Sequence, residues 1–249
     1  MSIIGAMFLL GLLIGFVGAG GAGLVIAVLT AGFGIPIHTA LGTSLGAMMF
    51  TTLSGAIGHF REANVALKEG LVVGLFGAVG SYGGVQIASL LPARDLTWLT
   101  AGMLYLSAAL IALRLLVSFR GLFAVEESQR VRFWVIAGGL GLLCGLLSGT
   151  FGIGAAPFIQ IGLLMFFSLS LPQVAGTTML VILPIAFTGG FGYLLAGFLE
   201  WPLFLEVITG LMVGAFVGAR FTRRLHLSIL KAAMVVTPIF AATLLWFGS

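Results

Sequence analysis

Apolar stretches longer than about 18 residues recur from one end of the chain to the other, and each is long enough to cross a bilayer as a helix. This feature limits the fold more than any other. Of the 249 residues, 60% are hydrophobic and 7% are charged. A soluble domain carries about a quarter charged residues because its surface must be hydrated. Most of this chain's outer surface must therefore face lipid, and no polar stretch is long enough to fold separately. The expected fold class is an all-α polytopic membrane protein of about 8–10 membrane segments, with residues 1–249 forming a single transmembrane domain.

The 38 glycines point the same way. Glycine weakens a helix in water, but in lipid it lets helices approach closely. GxxxG spacings occur at Gly80/Gly84, at Gly141/Gly145/Gly149 and at Gly210/Gly214/Gly218. Packing inside the bundle is the preferred reading of these faces, with a homodimer as the alternative. The formal charge of +4 does not indicate nucleic acid, because the basic residues sit at predicted helix ends, where they set topology. Cys144 is the single cysteine, which excludes an internal disulfide, and it reads as a small buried hydrophobe. The opening Met1-Ser2-Ile3-Ile4 lacks the positive region of a signal peptide and reads as the start of the first membrane helix. No metal and no cofactor are expected, and the chain is expected not to be an enzyme.

The chain repeats itself. GAGGAG at Gly18–Gly23 aligns with GTFGIG at Gly149–Gly154. Beyond a short length difference, Gly42-Thr43-Ser44 matches Gly176-Thr177-Thr178. Gly55-x-x-Gly58-His59 matches Gly189-x-x-Gly192-Tyr193, and Gly80/Gly84 match Gly214/Gly218. The halves are expected at about 1–118 and 132–249, joined near 119–131. Eight simple spans would divide the Lys and Arg residues almost evenly between the two membrane faces, against the positive-inside rule. An odd number of net crossings in the first two apolar stretches of each half leaves Arg94 alone outside and gathers the other basic residues inside. The apolar stretch after Arg132 runs about 54 Å if continuous, against a hydrocarbon core of about 30 Å, so it should break at Gly149–Gly154. The expectation is two inverted-topology repeats, each opening with a broken or re-entrant element, and both termini extracytoplasmic.

Broken helices leave backbone N–H groups unpaired, and in a membrane these must be buried in protein or line a cavity. With the helix dipole behind them they favour anions. The candidate substrate-binding residues are Gly20, Gly21, Gly23, Thr43 and Ser44 in the first half, with His38 just before them. In the second half they are Gly152, Gly154, Thr177 and Thr178. No acid is expected at mid-membrane, where it would mark a cation relay, so a small anionic substrate is expected. A coupling ion, H+ or Na+, stays open. Gln160 and Gln173 are weaker candidates, His59 reads as a cap, and Arg220 is expected to snorkel. Gly42-Thr43-Ser44-Leu45-Gly46 fits G-x-S-x-G, but no strand precedes it as a nucleophile elbow needs, so an intramembrane serine protease is the remote alternative.

The runs Gly18–Gly23, Pro36-Ile37-His38-Thr39-Ala40-Leu41-Gly42-Thr43-Ser44, Ser54-Gly55-Ala56-Ile57-Gly58-His59-Phe60 and Asn64-Val65 resemble the TauE/SafE family. Leu91-Pro92-Ala93-Arg94 fits as well. Leu147-Ser148-Gly149-Thr150-Phe151-Gly152-Ile153-Gly154 and Pro172-Gln173-Val174-Ala175-Gly176-Thr177-Thr178 are similar to its second repeat. The resemblance covers essentially the whole chain. It implies a secondary transporter that moves sulfite, thiosulfate or an organosulfonate across the bacterial inner membrane. One departure is that Thr150, Phe151 and Ile153 interrupt the second glycine run. An anion channel is the alternative transport reading, and it would need a continuous polar pore that the sequence does not display.

Overall fold

The computed structural model describes residues 2–17, 21–116, 130–222 and 227–248, with side chains described at 2–14, 21–116, 131–217 and 232–248. Among these residues the chain is a bundle of helices without strands: α1 (Ile3–Val17), α2 (Ala22–Ala27), α3 (Ile37–Arg61), α4 (Leu67–Leu90), α5 (Ala93–Leu116), α6 (Arg130–Phe151), α7 (Ala156–Phe167), α8 (Leu171–Leu195), α9 (Trp201–Thr222) and α10 (Leu227–Gly248). A π-helical turn, Val28–Gly32, prolongs α2. Five of the helices, α3, α4, α5, α6 and α8, are long and apolar enough to cross a membrane. Large apolar side chains stand exposed along them, such as Leu71, Leu75 and Val79 on α4 and Phe187 and Phe191 on α8. Such a surface is stable only against lipid. The protein is a multi-pass membrane protein.

The break expected in the long stretch after Arg132 lies between Phe151 and Ala156. Gly152 and Gly154 take φ of +68° and +69°, a left-handed conformation that costs other residues energy, and Ala155 follows at +48°. In the first half α1 ends at Val17 and α2 starts at Ala22; Gly18 and Gly20 lie outside the described residues. Helix starts keep one register between the halves. α2, α3, α4 and α5 each have a counterpart beginning 134 residues later, at Ala156, Leu171, Trp201 and Leu227. The glycine runs align three residues short of that register, so Gly21 corresponds in space to Ala155 rather than to Gly152.

Glycine faces fix how the helices meet. Gly210 lies against Ile4 and Met7, and Gly214 against Phe8 and Gly11, so α9 runs parallel to α1. Gly141 lies against Val73 and Phe76, Gly145 against Gly77 and Gly149 against Ser81, so α6 runs parallel to α4 in the same manner. The glycines at 80/84, 141/145/149 and 210/214 are thus covered within the chain, as expected for packing inside the bundle; the surroundings of Gly218 are outside the described residues. Helices α3 and α8 run antiparallel: Gly42 packs on Tyr193 at one end, Gly46 on Gly190 between, and Gly176 on His59 at the other end. The outer contacts are the same contact made twice, since 42 and 176 are register partners, as are 59 and 193. Antiparallel packing of Tyr105 with Thr243 and of Trp98 with Trp246 joins α5 to α10. The register partners α3 and α8, and likewise α5 and α10, therefore run in opposite directions.

Candidate functional site

Two short helices define the site. Ser44, within α3, donates from Oγ to the Ala22 carbonyl at 3.3 Å. About ten residues later the Val28–Gly32 turn delivers the chain to the start of α3. Helix α2 therefore begins beside the interior of α3 and runs back towards its start. Helix α7 does likewise in the second half: it starts at the α6 break and ends where Phe167 packs on Phe133 of α6, 5.6 Å between ring centroids. With its π-helical turn α2 covers 11 residues, and α7 covers 12. At 1.5 Å per residue each spans about half the hydrocarbon thickness.

Both short helices start uncapped. Their N-cap residues, Gly21 and Ala155, offer no side-chain acceptor. Among the described residues Val25 donates to the Gly21 carbonyl and Ile159 to the Ala155 carbonyl, and Pro157 in the first turn of α7 has no N–H. The N–H groups before them belong to the unpaired donors of a helix start. Ala22, Gly23, Ala155 and Ala156 are all buried, with Ala155 at 0% exposure and Ala156 at 7%. A buried donor left unpaired costs about 1–3 kcal/mol. By contrast α8, which begins at the bundle's edge, has a full capping box of Ser170 and Gln173.

A cavity of about 100 Å³ opens beside these starts. Gly21 with Ala22 and Val25 of α2 forms one wall, with Ala156 of α7, and Ser44, Ala47, Met48, Thr51 and Thr52 of α3 form another. Ile14, Met179, Ile182, Leu211 and Ala215 complete it from α1, α8 and α9. Hydroxyls and helix starts supply its polarity, and no charged residue lines it among the described residues. Thr52 Oγ1 donates to the Met48 carbonyl at 2.7 Å, and Thr51 Oγ1 to the same carbonyl at 3.0 Å. Rotation about χ1 can turn either hydroxyl from its own helix towards a ligand.

The structure brings part of the expected constellation together. Gly21 and Ser44 line the cavity, and Gly154 backs onto Met48, which also lines it. Gly20 lies outside the described residues. Gly23 packs against Leu104 of α5, and Gly152 against Leu41 and Ile26. Thr43 is fully buried and its hydroxyl has no partner, though it is not in the cavity wall. Thr177 Oγ1 accepts a hydrogen bond from the Ala66 N–H at 2.9 Å, which caps the start of α4, and Thr178 Oγ1 donates to the Val174 carbonyl. His38 stands elsewhere: its Nε2 donates to the Ala88 carbonyl at 3.0 Å while its ring stacks on Phe198. Sequence reasoning missed Thr51, Thr52 and Ala156. Thr51 and Thr52 follow Ser44 at i+7 and i+8, a helical spacing that could have flagged them.

Comparison with known proteins agrees over nearly the full length. The family described as "Sulfite exporter TauE/SafE" matches residues 3–245. A Bacillus subtilis protein described as "Probable membrane transporter protein YdhB" is 53% identical, covering 99% of this chain and 100% of its own. The "Probable membrane transporter protein ORF9" of a Sinorhizobium species is 28% identical over 95% of this chain and 88% of its own. The similarly described YunE of Bacillus subtilis is 25% identical over 85% of this chain and 82% of its own. No solved structure matches the chain.

Proposed function

The chain belongs to the sulfite exporter TauE/SafE family, and from that premise we propose that it is a secondary transporter of a small sulfur-containing anion: sulfite, thiosulfate or an organosulfonate. It does so across the bacterial inner membrane. The observation that carries this reading is the cavity at the two uncapped helix starts. Unpaired N–H groups with a helix dipole behind them favour negative charge. Among the described residues the walls hold hydroxyl donors and no carboxylate, so an oxyanion meets hydrogen-bond donors without charge repulsion. An amine or metal cation would find no counter-charge among these described residues. The apolar remainder of the wall, including Val25, Met179 and Ile182, suits an anion with a small organic group as well as a bare oxyanion.

The opposite directions of corresponding helices support two inverted-topology repeats related by an axis in the membrane plane, an arrangement that places substrate near the midplane. In this reading the Lys68 and Arg132 end faces the cytoplasm by the positive-inside rule, and both termini are extracytoplasmic. Transport then proceeds by rocking one half against the other around the cavity. The test is exchange in proteoliposomes of purified protein. Saturable exchange of sulfite, thiosulfate or taurine, with chloride inert, is the expected result, and a dependence on a H+ or Na+ gradient would identify the coupling ion. Flux that never saturates would instead indicate a channel.

A further inference from the structure

Helix α5 carries polar groups at a seven-residue spacing on its protein-facing side: Thr100, Ser107 and Arg114. Seven residues are close to two turns, so the three project from one face about 10 Å apart. Thr100 is 0% and Ser107 5% exposed, and neither hydroxyl has a partner. Other buried hydroxyls, those of Thr97, Thr150 and Thr178, bond back to their own helix. Leu104, one turn from each hydroxyl, packs on Gly23 in the first turn of α2. The stripe thus passes the start of a half-membrane helix.

Arg114 ends the stripe. Its guanidinium donates to the Gln160 side-chain oxygen on α7. Gln160 is only 8% exposed and follows Ala156, a cavity-lining residue, by one turn on the same face of α7. Helical side chains lean towards the N-terminus of their own helix, so Arg114 leans into the bundle. A snorkelling arginine would reach the other way, to the headgroups. No carboxylate pairs with it among the described residues. A cation held inside a membrane bundle by a neutral amide keeps its charge available, whereas a carboxylate partner would cancel it.

We propose that Arg114 is a substrate-binding residue: held by Gln160, it receives the anion as it passes between the cavity and the end of the bundle where α5 terminates. This rests on the anion-transport reading above and deepens it. The two-fold relation of the halves fails at this point. The register partners of Arg114 and Gln160 are Gly248 and Ile26, and Gly248 closes directly onto Ala31 in an apolar contact. At this pair of register positions the cation stands on one side of the bundle and a glycine on the other.

The test is transport of sulfite and thiosulfate into proteoliposomes by the parent protein and by Gln160→Glu, Arg114→Gln and Arg114→Lys. Gln160→Glu keeps a bonding partner for Arg114 but neutralises its charge. It is expected to leave thermal stability intact and to lower transport by about tenfold or more. Arg114→Gln should do at least as much, and Arg114→Lys should retain an intermediate rate. Should Arg114 merely tie α5 to α7, Gln160→Glu would transport like the parent, which overturns the proposal. Should it serve lipid headgroups instead, the defect would depend on the phosphatidylglycerol content of the vesicles, which also overturns it. A parent protein that moves neither anion would sink the transport reading itself; active parent and active variants together would sink only the role of Arg114.

Discussion

The cavity has a counterpart in the other half, and the two are built differently. Around the cavity α3 presents Ala47, Thr51 and Thr52, and α9 presents Leu211 and Ala215. At the register partners α8 presents Val181, Ile185 and Ala186, and α4 presents Gly77 and Ser81. There the space is filled: Ile185 is fully buried against Gly77, and Ser81 Oγ donates to the Ile185 carbonyl at 2.9 Å. The α3 and α9 positions thus border a hydroxyl-lined opening, and the α8 and α4 positions at the same register a close-packed joint. Both half-membrane helices reach the cavity, through Ala22 and Ala156; side-chain volume decides that it opens on the α3 and α9 side.

Changes that open or close either side test this contrast. The largest effect is expected where backbones touch in the filled half. Gly145→Val drives a branched side chain into the Gly77 backbone and should cost about 3 kcal/mol, read as a fall in detergent melting temperature and folded yield. Gly58→Val, where nothing lies within 4 Å, is the control and should change little. Next, Ile185→Thr removes buried volume from the filled half and should cost about 2 kcal/mol, without adding an anion site. A third variant gives the cavity the filled half's residues: Ala47→Val with Thr51→Ile should weaken sulfur-anion binding about tenfold, or about 1.4 kcal/mol, while the protein stays folded. Binding that survives this double change would break the comparison. The smallest effect belongs to Tyr193→Phe, which removes the 3.0 Å bond from the Tyr193 hydroxyl to the Gly149 carbonyl and should cost about 1 kcal/mol.

The sequence made the architecture readable because lipid imposes strong rules on it. The 36-residue apolar stretch exceeded what a bilayer can hold, and its glycines marked the break now seen between Phe151 and Ala156. GxxxG spacings marked helix faces because backbone contact needs small residues over a whole turn, and α4, α6 and α9 use them so. The candidate site was readable only in part. Gly21 and Ser44 signalled it through local pattern, whereas Leu211 and Ala215 join the wall from α9 with no local mark. Thr177 looked like a twin of Ser44's neighbour Thr43, yet its hydroxyl bonds a backbone group 111 residues away. Arg114 read as a topology signal because its partner on α7 is 46 residues distant. Long-range pairings of this kind have no periodicity from which to be inferred.

The central claim is that the cavity between the two half-membrane helices holds the anion. Its most direct test is a calorimetric titration of purified protein with sulfite, thiosulfate, taurine and chloride, run in parallel on Ala47→Leu, which fills a space of about 100 Å³. The account predicts saturable heat from at least one sulfur anion, none from chloride, and loss of that heat in Ala47→Leu with the protein still folded. A folded Ala47→Leu that binds the same anion with the parent's affinity would contradict it.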